Sequence, residues 1–114
     1  MALRDALQGI TCPMVTPFDA GSIDESALVD VLAHLQDGGI DAVFPCGTTG
    51  EYPSLTADEH RRVVETTVDH AEVPVIAGAG ATSVGETVAA IDRAADAGAD
   101  AAAIVAPYFT TANA

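Results

Sequence analysis

The chain has 114 residues, which is room for one compact unit. Its formal net charge is −13, from 17 acidic residues against four arginines (Arg4, Arg61, Arg62 and Arg93), and it contains no lysine. Such a surface repels DNA, RNA and anionic membranes, which excludes them as partners, and 49% hydrophobic residues with ten glycines exclude a disordered segment. Aromatic residues make up only 4%, so the core is built from Ala, Val, Ile and Leu. This acid-rich, lysine-free composition resembles that of proteins from salt-loving organisms, where salt screens self-repulsion; low stability in dilute buffer is expected.

Ala2 to Leu7 suits one or two turns of helix. The start has no long apolar stretch, so neither a signal peptide nor a membrane span is expected, and a cytoplasmic location is the default. Ile10 to Thr16 is β-capable, with Pro13 making the strand irregular. Asp19-Ala20-Gly21-Ser22 is a turn cluster. Asp24 caps a helix to about Asp37, whose apolar stripe is Ala27, Leu28, Val31, Leu32 and Leu35; Gly38-Gly39 ends it. His34 borders that stripe and is read as half-buried.

Asp41 to Cys46 is a second, continuously apolar strand. It empties into Gly47-Thr48-Thr49-Gly50-Glu51, and Pro53 closes the loop. Thr56-x-x-Glu59 is a capping box for a helix to about His70, with Val63, Val64, Thr67 and Val68 inward. Arg61 and Arg62 are solvated and within reach of Glu65. Val73 to Ala77 is a third strand, followed by the turn Gly78-Ala79-Gly80-Ala81-Thr82. Ser83-x-x-Glu86 is a second capping box, for a helix through Val84, Val88, Ile91 and Ala95. Asp100 to Ala106 is a fourth strand, followed by Pro107-Tyr108-Phe109.

The order β-α-β-α-β-α-β with apolar strands implies a parallel sheet covered on its faces. Asp37-Gly38-Gly39-Ile40-Asp41-Ala42 is echoed by Asp96-Ala97-Gly98-Ala99-Asp100-Ala101, an offset of 59 residues, or two βα units. An open doubly wound sheet and part of an eight-fold barrel both fit. In either, ligands bind at the carboxyl ends of the strands. Thr16, Thr48-Thr49, Gly78-Ala79-Gly80 and Tyr108 all fall there.

The threonine loop is the sharpest candidate site. Two hydroxyls between two glycines at a strand end form a small anion pocket. Gly47 and Gly50 allow close backbone approach, and φ > 0 where needed; the backbone N–H groups, Thr48 and Thr49 can donate to a carboxylate or phosphate. The plainer alternative is a tight turn with capping threonines. Glu51 is read as holding the loop through an ion pair or a backbone bond, with a base as the alternative. Tyr108 is a candidate proton-relay phenol or a half-buried core residue. The Gly78–Ser83 segment departs from a dinucleotide fingerprint, with Ser83 in its last position. A P-loop fails for want of lysine. Cys12 and Cys46 lie in apolar runs, no CxxC occurs and the three histidines are scattered, so no metal or cofactor is expected.

Val15-Thr16-Pro17-Phe18, Gly47-Thr48-Thr49-Gly50-Glu51, Val75-Ile76-Ala77-Gly78-x-Gly80 and Ala106-Pro107-Tyr108 together resemble the dihydrodipicolinate synthase/N-acetylneuraminate lyase family, which includes 2-keto-3-deoxygluconate aldolases. The resemblance runs along essentially the whole chain. It implies the N-terminal half of a (β/α)8 TIM barrel, with about four parallel strands and three main helices. Residues 1–114 would form one unit without the C-terminal half. It also implies a class I aldolase that binds pyruvate, or another 2-keto acid, as a Schiff base on lysine before reaction with an aldehyde, in a homo-oligomer. Thr49 would hold the keto-acid carboxylate, framed by Gly47 and Gly50. Thr48 would assist and join a hydroxyl relay with Tyr108, because Phe109 lacks the hydroxyl of the family's second tyrosine. The family's imine lysine lies on a later strand. With no lysine the chain alone is expected to be inactive, since imine formation needs a nucleophilic amine. The alternative is a non-catalytic 2-keto-acid-binding or interaction module that completes a barrel with a partner half.

Overall fold

The computed structural model describes Arg4 and residues 8–105. The expected helix over Ala2–Leu7, apart from a helical Arg4, and the Pro107-Tyr108-Phe109 segment lie outside the described residues. Four short strands run parallel: β1 (Thr11–Pro13), β4 (Ala42–Phe44), β5 (Ile76–Gly78) and β6 (Ala101–Ala103). β1 pairs with β4 from Thr11↔Ala42 to Pro13↔Phe44, and β5 with β6 from Ile76↔Ala101 to Gly78↔Ala103. A parallel bridge, Val43↔Val75, joins the two pairs, and Val43 N–H donates to Pro74 O at 3.0 Å. Strand neighbours therefore follow chain order with no reversal. A doubly wound sheet reverses at its switch point, whereas a βα barrel does not.

The 59-residue echo has a structural counterpart at the amino-terminal rim. Asp41 accepts the Ile10 N–H on its carboxylate at 2.7 Å and returns its own N–H to Ile10 O at 2.8 Å. Asp100 does the same with Val75, at 2.8 and 2.9 Å. Each aspartate clips its strand to the preceding one, so each strand pair carries its own register lock.

The turn cluster after β1 turns out to be a small antiparallel hairpin, β2 (Phe18–Asp19) with β3 (Ser22–Ile23). Ala20 and Gly21 carry its positive φ values, 51° and 82°. Helix α1 (Glu25–Asp37) begins at Asp24, whose side chain accepts from Ala27 N–H, and buries Leu28 and Leu32. Helix α2 (Ala57–His70) has the full capping box expected at Thr56 and Glu59. It buries His60, Val63, Val64 and Thr67, a 3.6-period stripe that places α2 on the sheet and beside α1. Arg61 pairs with Glu65 at 2.7 Å; Arg62 instead reaches Glu25 of α1, also at 2.7 Å. His34 is exposed rather than half-buried.

Helix α3 (Val84–Asp96) departs from expectation. Ser83 accepts from Glu86 N–H, but the Glu86 carboxylate takes the Thr82 hydroxyl, so only half of the box forms. Its buried residues are Ala90 and Ala94; Val84, Val88 and Ala95 are exposed. The small alanines let α3 lie close to the sheet and Ile91 packs half-buried against the core, while Val84 and Val88 point away from it. Ile104 and Val105, just past β6, are also exposed. No helix among the described residues is long and apolar enough to cross a membrane.

Candidate functional site

The loop after β4 is held on both sides by its neighbours. From the β1 side, Thr16 donates its buried hydroxyl to Gly50 O at 2.7 Å. From the β5 side, Gly78 N–H donates to Pro45 O at 2.8 Å. A side chain at Gly78 would overlap the Cys46 carbonyl, so glycine is required there for backbone to pass backbone. The next residue, Ala79, donates its N–H to Ala103 O at 2.9 Å, which ties in the end of β6. The ends of all four parallel strands thus meet around one loop.

Within that loop Gly47 and Gly50 are buried, while Thr48 and Thr49 are exposed. The left-handed residues are not the glycines but Cys46 and Glu51 just outside them, each with φ 62°. Gly50 is needed for space: a Cβ there would lie 2.9 Å from Met14 O and 3.0 Å from Cys46 N. Glu51 N–H donates to Thr48 O at 3.0 Å, and Tyr52 N–H to Gly47 O at 3.2 Å. Glu51 is exposed and makes no ion pair among the described residues, so it holds the loop through its backbone. The arrangement presents two hydroxyls on a rigid turn, facing outward where strands end. It suits a small anionic group.

Behind the loop lies a cluster that sequence reasoning missed. His60, fully buried on α2, bonds Gly78 O through Nε2 at 2.8 Å, and Arg93 Nε donates to His60 Nδ1 at 3.0 Å. A carbonyl can only accept and a guanidinium can only donate, so the imidazole is neutral with its proton on Nε2. Burial lowers the His60 pKa, the Gly78 bond opposes that, and the nearby Arg93 charge adds to the lowering. Tyr52 stacks edge-on to His60, with ring centroids 5.0 Å apart. The stripe spacing 60-63-64-67 on α2 was the available signal for a buried His60; its partner Arg93, 33 residues away, left none. Burial pushes the Cys46 thiol up to about 12, against a smaller lowering by Arg93, so it is no nucleophile near neutral pH. A cleft of about 390 Å³ opens on the helix side, between Tyr52, Leu55, Thr82, Glu86 and Arg93. Thr48 and Thr49 do not line it. No group of metal-ligating side chains occurs among the described residues.

A sheet of parallel strands in chain order, with its loops gathered at the carboxyl ends, belongs to the class of βα barrels that carry their sites on that rim. The chain belongs to the dihydrodipicolinate synthetase family, which matches residues 6–114. It is 45% identical over 107 residues to the 4-hydroxy-tetrahydrodipicolinate synthase of Methanothrix thermoacetophila, covering 93% of this chain and 36% of that protein. Its structure is similar to the 2-keto 3-deoxygluconate aldolase of Picrophilus torridus, with a TM-score of 0.87 and 33% identity, over 94% of this chain and 39% of that one. It is also similar to a prophage protein of E. coli K12 from the dihydrodipicolinic acid synthase family, solved in complex with pyruvate, with a TM-score of 0.83 and 34% identity over 94% and 37% of the two chains. The chain therefore spans little more than a third of the proteins it matches. Its strands and helices are βα units of a (β/α)8 barrel, and its family is one of Schiff-base lyases.

Proposed function

We propose that these residues are the N-terminal part of a pyruvate or 2-keto-acid Schiff-base lyase, and that they carry its carboxylate pocket. The observation that supports this most is the Gly47–Gly50 loop, gripped between the ends of β1 and β5 with its threonines outward. In this reading Thr49 donates to the keto-acid carboxylate through its hydroxyl and backbone N–H, and Thr48 assists. A carboxylate held at a fixed distance orients the C2 carbonyl toward an amine and selects 2-keto acids over simple ketones. Thr48 and Tyr108 would pass a proton to and from the reacting oxygens. The amine that attacks C2 and expels water as the imine forms belongs to a lysine outside these 114 residues. An aldehyde is the second substrate.

Treating a protein that pairs this chain with the remaining barrel strands with pyruvate and borohydride should leave a reduced adduct on lysine. The 114-residue chain should leave none. Label on the short chain would overturn the division. Thr49→Val in the paired protein should raise the KM for pyruvate about tenfold or more, since it removes a hydrogen bond to a charged group. A second reading is favoured by the exposed apolar flank of Val84, Val88, Ile104 and Val105. There the chain is a keto-acid-binding half that gains activity only when a partner half covers that flank. Mixing separately made halves distinguishes the two readings.

A further inference from the structure

We propose that His60 is a positioning residue for the threonine loop, holding both of the loop's anchors on one imidazole. The proposal rests on the reading of that loop as the carboxylate pocket. The loop leaves the sheet at Pro45 and ends at Tyr52, the first residue of a short 3-10 turn that leads into α2. At its start, Pro45 O accepts from Gly78 N–H, and the carbonyl of Gly78 accepts from His60 Nε2–H. At its end, Tyr52 N–H closes the turn on Gly47 O, and the Tyr52 ring sits edge-on to His60. One buried side chain on α2 therefore fixes the strand end against which the loop begins and the residue with which it ends. Arg93, by donating to Nδ1, keeps the Nε2 proton pointed at Gly78. The hydrogen bonds of His60 go to Gly78 and Arg93 and not to either threonine, so it acts through the backbone frame. Removing it should loosen the loop without altering the hydroxyls themselves.

Amide hydrogen exchange on the 114-residue chain tests this, comparing wild type, His60→Leu and His60→Gln. The Gly78 and Tyr52 amides report the two anchors, and the Leu32 amide in α1 is the control. His60→Leu should speed exchange at both anchors about tenfold relative to Leu32, the scale of one buried hydrogen bond. His60→Gln restores an N–H donor without the ring. It should protect Gly78 close to the wild-type level while Tyr52 still exchanges faster. Equal acceleration at all three amides, or none at the anchors, overturns the proposal. Should His60→Leu fail to fold, the split between Gly78 and Tyr52 in His60→Gln decides alone. Pyruvate titration followed at the Thr48 and Thr49 amides separates the two readings. A wild-type chain that shows no response to pyruvate sinks the carboxylate pocket, and the exchange pattern still decides the role of His60.

Discussion

The two ends of the sheet are built differently. Around the Gly47–Gly50 loop, backbone meets backbone: Gly78 lies against Cys46, Gly50 against Met14, and a buried histidine and threonine bond the carbonyls of Gly78 and Gly50. Around α3 and β6 the packing rests on small side chains. Alanines touch the core, valines face outward, and a shallow hollow of about 140 Å³ separates Ile91 and Ala95 from Ala101 and Ala102. The difference teaches where precision resides. The threonine loop is locked from both sides, whereas the flank of Val84, Val88, Ile104 and Val105 keeps apolar surface exposed.

The largest test of that contrast is a substitution at its tightest point. Gly78→Val forces a side chain into the Cys46 carbonyl, which cannot rotate away. A cost above about 3 kcal/mol is expected. Val84→Ser on the opposite flank should stay within about 0.5 kcal/mol. Urea melts of both variants in high salt check the pair, and similar midpoints would break the contrast. Next in size are the helix caps. Thr56→Ala removes one side of a complete box and should cost about 1 kcal/mol, whereas Ser83→Ala, at a half-formed box, should cost about 0.5 kcal/mol. Thermal unfolding of each variant measures this. The smallest effect is on pH. His60 has a folded pKa below its ordinary 6.5, so the unfolded chain binds the proton more readily. Its contribution to stability is complete above about 6.5 and is lost as pH falls through the folded value. His60→Gln should flatten the stability profile in that acidic window. An unchanged slope would remove His60 as its source.

Much of the frame could be read from residues alone. The parallel strands, the α1 and α2 stripes and the Thr56 box follow from periodicity and capping chemistry, which are local. The threonine loop was also visible, because glycines around hydroxyls at a strand end are a short-range pattern. What escaped depended on distant partners. The α3 set Val84, Val88, Ile91 and Ala95 is regular, but period does not reveal that only Ile91 of the four meets the described core. His60 looked like an ordinary helical residue because Arg93 and Gly78, which make it necessary, sit in other elements. Gly47 and Gly50 are not needed for positive φ, which falls on Cys46 and Glu51 beside them. Those glycines are there for closeness: Gly50 must clear a neighbouring backbone, and Gly47 the Phe44 ring.

The paired aspartate clips carry a consequence for how such a scaffold changes. Asp41 and Asp100, each one residue before its strand, fix the strands at the rim opposite the Gly47–Gly50 loop through their carboxylates and backbone N–H groups. Alignment at that end owes nothing to the loops at the other. Residues along the upper loops can therefore change, while the lower rim keeps the strands from slipping.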